Sequence, residues 1–235
     1  MRRSLVGFVV VVVLSAGCGN GGTLEPSELS AVRVFNASPD SPELNVLLRG
    51  SEIAQGLAYA HGQFYKIVQA GPGEIEVHTT ITDDVLLVYD ATFVAATLYT
   101  FAITGTAGAR QSIFVADDTT AAPSGNFKVR VIQLAPLGPP MDLYITDPGA
   151  DLTTATPVVT GIAYTKSSAY ATEPIGTKQL RATQAGTKTV LWDSSNPVTF
   201  TSGQGVTVFL IGAAGTGGGG APYTGQLVAD HSGTN

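Results

Sequence analysis

The sequence predicts an all-β chain: two tandem antiparallel β-sandwich domains after a cleaved signal peptide. Three observations carry that expectation. Short runs of β-branched and aromatic residues alternate with polar ones, clusters of Gly and Pro separate the runs, and five blocks of sequence occur twice in the same order. Charged residues make up 13% of the chain, against roughly 25% in a typical soluble domain. Thr and Val suit a pleated, half-buried surface, and frequent Gly and Pro break it into short strands. In "EIEVHTTI", Ile75, Val77, Thr79 and Ile81 share one face while Glu74, Glu76 and His78 share the other. "VRVFNA" likewise groups Val32, Val34 and Asn36, and "ELNVLL" groups Leu44, Val46 and Leu48. Strict alternation of this kind describes half-buried strands, and no long segment carries helical periodicity. About seven short strands per hundred residues is the density of an immunoglobulin-like sandwich. With one Cys in the chain, apolar burial rather than an inter-sheet disulfide must hold each core.

The N-terminus has its own logic. Arg2 and Arg3 precede an apolar stretch from Leu5 to Leu14, followed by Ser15, Ala16, Gly17 and Cys18. This is the three-part layout of a secretory signal peptide over residues 1–17. The stretch is too short to span a bilayer, which takes about 20 residues. "SAGC" resembles the bacterial lipobox, with Ser15 standing where Leu is commonest. That resemblance implies cleavage before Cys18 and lipidation of its sulfur; free secretion and a buried Cys18 are the alternatives. Attached acyl chains would hold the protein on a membrane without spanning it. A lipidated thiol also resolves the hazard of a lone Cys in an oxidising compartment. With Gly19 after the cysteine, the same resemblance implies an outer-membrane or cell-surface location. Loss of residues 1–17 makes the chain two charges more negative than its full-length −6. With no Lys/Arg run either, it lacks the electrostatic footprint of a nucleic-acid binder.

The duplicated blocks set the domain limits. Val32-Arg33-Val34 aligns with Val129-Arg130-Val131, and "LAYAHGQFY" (57–65) aligns with "IAYTKSSAY" (162–170). "LLVYDA" (86–91) corresponds to "TVLWDS" (189–194), "LYTFAITG" (98–105) to "GVTVFLIG" (205–212), and "IFVAD" (113–117) to "QLVAD" (226–230). Loop insertions account for the drift between blocks. The expected organisation is a tether over 18–29, a first domain over 30–118, a linker over 119–125, a second domain over 126–231 and a tail over 232–235. As a flexible coil the tether would reach about 18 Å. The Gly-rich stretch Gly215–Gly220 lacks the Lys and the helix of a phosphate-binding loop and is expected to be a hairpin loop.

"RVFNASPDSPELNVLLRG" followed by "LAYAHGQFYKIVQAGPGEIEV" resembles the bacterial and archaeal family known as domain of unknown function DUF4397. The resemblance rests on Arg33, Val34, Ala37, Ser38, Pro39, Pro42, Tyr59, Tyr65, Ala70 and Gly71, with Asn36 and Asn45 standing where His and Asp are frequent. The second copy keeps Arg130, Val131, Ala135, Pro136, Asp142, Tyr144 and Tyr170, and writes "IGTK" for the Ala-Gly turn. The resemblance implies exported, often tandem sandwich domains and supplies no catalytic residue.

Sites for chemistry are sparse in the sequence. There is no Gly-x-Ser-x-Gly elbow and no His-Glu-x-x-His, and His61, His78 and His231 lie at no metal-ligand spacing. The acidic pairs Asp83-Asp84 and Asp117-Asp118 lack the alternating spacing of a calcium loop and are expected to be solvated turn residues. Asp40 and Glu43 in "SPDSPE" are the pointed candidates for ligand binding, although Pro and Asp also suit a tight turn. Tyr59, Tyr65, Tyr99, Tyr164, Tyr170 and Trp192 invite a sugar-stacking reading, but their recurrence inside apolar strands favours core or hydroxyl-bonded roles. The expectation is therefore a lipid-anchored cell-envelope protein with two non-catalytic modules, structural or binding, needing no cofactor or metal. Its partners would be the membrane through Cys18 and an envelope protein or glycan. A surface adhesin or carbohydrate-binding protein is the alternative, and a hydrolase with a dispersed acidic site is the third.

Overall fold

A computed structural model describes residues 28–212 and 223–231. The alternating runs become strands β1 (Leu29–Asn36), β2 (Leu44–Leu48), β3 (Ser51–Leu57), β4 (His61–Gly62), β5 (Lys66–Gln69), β6 (Gly71–Thr79), β7 (Val85–Phe93), β8 (Leu98–Thr104) and β9 (Gln111–Asp117). After a connection they resume as β10 (Asn126–Gln133), β11 (Met141–Thr146), β12 (Val159–Ile162), β13 (Lys166–Ser167), β14 (Ala171–Pro174), β15 (Gly176–Gln184), β16 (Val190–Asp193), β17 (Val198–Phe200), β18 (Gly205–Ile211) and β19 (Thr224–His231). The chain is all-β, and among the described residues no helix is long and apolar enough to cross a membrane.

Four sheets form. One runs β4-β1-β8-β9 with β5 also on β1, and its outer companion runs β3-β2-β6-β7. The other pair runs β13-β10-β18-β19 with β14 also on β10, and β12-β11-β15-β16 with β17 also on β15. Most pairings are antiparallel, as the alternation predicts. Two are not: β1 pairs β8 in parallel, and β10 pairs β18 in parallel. The cause is connectivity, because β6 and β7 carry the chain through the outer sheet before β8 returns beside β1, far from any hairpin constraint.

Each sandwich has its own core. Val32, Val34, Leu44, Val46, Ile75, Val77 and Phe101 fill the first, and Val129, Val131, Met141, Leu143, Leu180, Val208 and Leu210 fill the second. A third cluster, Phe35, Ala37, Ala102, Ile113, Ile132, Leu134, Phe209 and Ile211, lies between the sandwiches. The two central sheets therefore pack on each other through their far faces, giving an order of outer, central, central, outer. Phe35 and Phe209 stack across this joint with centroids 4.2 Å apart and planes 6° from parallel. Double-sided burial explains why β1, β8, β10 and β18 are buried along almost their whole length, where an ordinary antiparallel strand alternates.

Phe209→Ala should remove that stack and leave a cavity, lowering stability by about 3–5 kcal/mol. Equilibrium unfolding in urea measures it, and a loss below about 1 kcal/mol would show that the joint adds little to folding.

Candidate functional site

The most elaborate polar arrangement lies inside the joint. On β1 the side chain of Arg33 points away from Val32 and Val34, and on β10 Arg130 does the same between Val129 and Val131. Each arginine reaches across to the other sandwich. Arg33 Nη2 donates to Asp230 Oδ1 at 2.5 Å, and Arg130 Nη2 donates to Asp117 Oδ1. Arg33 Nε donates to Thr100 Oγ1 at 2.8 Å and Arg130 Nε to Thr207 Oγ1 at 2.9 Å. The remaining nitrogens bond the backbone oxygens of Ala229 (3.2 Å) and Ala116 (3.0 Å). Thr100 and Thr207 hydroxyls donate to Asp117 and Asp230 at 2.8 and 2.7 Å.

Two tyrosines close the arrangement. Tyr65 Oη donates to Asp117 Oδ2 at 2.6 Å, and Tyr170 Oη to Asp230 Oδ2 at 2.8 Å. Arg33 lies over the Tyr65 ring and Arg130 over the Tyr170 ring, 5.1 and 5.0 Å from their centroids. Burial, with the Asp117 carboxylate adding to it, pushes the Tyr65 phenol above its ordinary range; burial does the same for Tyr170. Both stay protonated as donors. The aspartate side chains are 0% exposed and the arginines 4% and 2%. None of these eight residues leaves a buried side-chain nitrogen or oxygen unpartnered. The arginines and aspartates are closed off from solvent, so their arrangement is that of a joint: fixed charges, fully paired, holding two sheets in one register.

The sequence-predicted residues fall elsewhere. Asp40 accepts the Ala107 amide at 2.8 Å and lies 3.6 Å from Arg110, tying its turn to the β8–β9 loop. Glu43 is exposed, and its carbonyl accepts the Thr80 amide at 3.2 Å. Behind them Asn36, fully buried, donates to Ser41 Oγ and Leu57 O and accepts the Ser38 amide, each at 3.0 Å. Cys18 and Gly215–Gly220 lie outside the described residues.

Asp83 and Asp84 lie exposed in the turn between β6 and β7, as expected, whereas the pair Asp117-Asp118 is divided. Asp117 is buried in the joint while its neighbour Asp118 pairs with Lys128 at 2.6 Å on the surface, because β9 turns alternate residues to opposite sides. Partial burial opposes the charge on Asp118, but hydrogen bonds from Lys128 and Thr120 prevail and hold it down to about 2. His78 meets Asp83 (2.9 Å) and Glu76 (3.1 Å) through its two ring nitrogens. The two carboxylates cover His78, which is itself buried, while Asp83 is 84% exposed. Among the described residues no group of three His, Cys, Asp or Glu has metal-binding geometry. The roles of Arg33, Thr100, Arg130 and Thr207 went unread in the sequence, although the recurring Val-Arg-Val and Val-Ala-Asp blocks were their signal.

The family model described as "Domain of unknown function (DUF4397)" matches residues 30–144. The match takes in the first sandwich and continues through β10 into β11, so it includes Arg33, Tyr65, Thr100, Asp117 and Arg130. No curated protein matches the chain in sequence. Among solved structures, CBMbc (family CBM26) from Eubacterium rectale Amy13K in complex with maltoheptaose is 9% identical. It aligns over 88% of this chain and 100% of its own, with a TM-score of 0.27. A streptococcal virulence factor that binds α-glucan is 10% identical over 77% of this chain and 92% of its own, also at 0.27. At that degree of superposition neither bears on what this chain binds.

Asp230→Ala should leave Arg33 buried without its carboxylate and cost about 3–5 kcal/mol. The double variant Arg33→Met, Asp230→Leu should recover most of that loss in urea unfolding. A single variant as stable as the parent would mean that the buried ion pair is dispensable. His78 provides a pH dependence: partial burial disfavours its charge, but bonds to Asp83 and Glu76 outweigh this and raise its pKa. The raised folded value means that the stabilisation is complete below the unfolded pKa of about 6.5 and fades as pH rises through the folded value. His78→Gln should flatten stability across neutral to mildly alkaline pH, measured as Tm against pH; an unchanged slope would contradict it.

Proposed function

We propose that the chain is an exported, lipid-anchored, non-catalytic component of a bacterial cell envelope, built from tandem copies of one immunoglobulin-like domain and held to a membrane through Cys18. The observation that carries the anchor is the single cysteine placed directly after an apolar stretch and "SAG". The body supports a structural or binding role: its charged constellation with the most partners is spent inside the joint, where it fixes two sandwiches as one unit. Such a unit presents loops at its ends and sheet edges along its sides to envelope proteins or glycans. The identical ladder order of β4-β1-β8-β9 and β13-β10-β18-β19 supports the tandem origin.

Expression of the full chain in a bacterium with a metabolic acyl label tests the anchor. Label on the wild type and none on Cys18→Ser is expected, with an intact mass of the cleaved, acylated chain. An unlabelled wild type recovered from the medium would replace the anchor with free secretion.

A further inference from the structure

The two halves serve as controls for each other. Ladder registers equate Lys66 with Ala171 and His61 with Lys166, since they sit opposite equivalent residues of β1 and β10. Gln63 and Ser168 are equated by their amides, which donate to Val34 O and Val131 O. The outer strands β3 and β12 correspond in the same way, with Ala54 matching Val159 and Leu57 matching Ile162.

Both β3 and β12 are edge strands, whose unpaired main-chain groups invite another strand. In the first half that edge is covered from the facing segment: Lys66 Nζ donates to Glu52 O at 2.5 Å, and Gln63 Nε2 donates to Gln55 O at 3.1 Å. In the second half the equivalent residues are Pro157 and Thr160, of which Thr160 lines the gap to the facing segment, and the covering residues have changed. Ala171 has no side-chain donor to offer. The Ser168 hydroxyl is turned elsewhere, donating to Ala169 O at 2.7 Å and accepting the Val131 amide at 2.9 Å. What remains is a groove of about 420 Å³ between β12 and the β13–β14 segment.

We propose that this groove binds a short extended peptide of a partner protein, which adds to the edge of β12. The chemistry selects the class. The free edge of a strand offers main-chain donors and acceptors in alternation, and an extended peptide main chain matches them. Gly161, at φ +60°, turns the backbone out of extended conformation and limits the pairing to the stretch ending at Thr160. Ala163, Ala169 and Ala171 leave room for small or β-branched side chains, and Lys166 is the one ionised residue on the lining, so an acidic residue at the peptide's end complements it. This site rests on the described fold alone; failure of Cys18 acylation would leave it standing.

The probe is acetyl-Val-Thr-Val-Thr-Glu-amide, titrated into the purified chain while backbone amide shifts are followed by NMR. Saturable shifts at Thr160, Gly161 and Ala169 are expected. The double variant Ser168→Gln, Ala171→Lys, which copies the first half's cover, should weaken binding at least tenfold without lowering Tm. The same peptide with alternate amides N-methylated should bind at least tenfold more weakly than the parent. Equal binding by the N-methylated peptide, shifts confined to other residues, or no saturable shift would overturn the proposal. So would maltoheptaose, and not the peptide, moving the same amides.

Discussion

Two buried ion pairs, Arg33 with Asp230 and Arg130 with Asp117, are the constraint to which the rest of the structure answers. Removing four charges from water is costly, and the attraction of each pair offsets it only if every other lone pair and proton is satisfied. The threonines, tyrosines and backbone carbonyls around the arginines meet that condition. They do so only when the two central sheets face each other in one register. A slip of β1 or β10 by one residue within its own sheet would turn Arg33 or Arg130 into an apolar core and leave the aspartates unpaired.

Around this polar centre the joint is apolar and asymmetric. Phe35 of β1 stacks on Phe209 of β18, while the equivalent positions hold Ile132 and Ala102. A large ring in one half thus faces a large ring in the other, and the smaller side chains share the complementary place. The ion pairs are reciprocal between halves, whereas the ring packing is specific to the pairing of the first half with the second. Charge fixes register, and shape fixes which surfaces meet.

Function is then displaced to the periphery. With both faces of the central sheets buried, new contacts are left to the outer sheets, the loop ends and the strand edges, and the halves have diverged there. Lys66 and Gln63 cover an edge that Ala171 and Ser168 leave open. Asp40 and Glu43, prominent in the sequence, sit on a turn braced from within by Asn36 and tied by Asp40 to the neighbouring loop.

The sequence by itself determined the all-β class and the inward residues of the outer strands. Leu44 and Val46 alternate with Glu43 and Asn45, and Ile75 and Val77 with Glu74 and Glu76, and a period of two has one structural meaning when one face meets water. It also displayed the Arg and Asp blocks without disclosing their use. Alternation in "VRVF" reads the same whether Arg33 faces solvent or a second sheet, since burial of the far face depends on a partner distant in the chain. The parallel pairing of β1 with β8 and the burial of Asp117 beside exposed Asp118 were likewise decided by tertiary structure. The opening at β12 belongs there too, because it arises from side chains that are absent across a gap rather than from any residue present in a run.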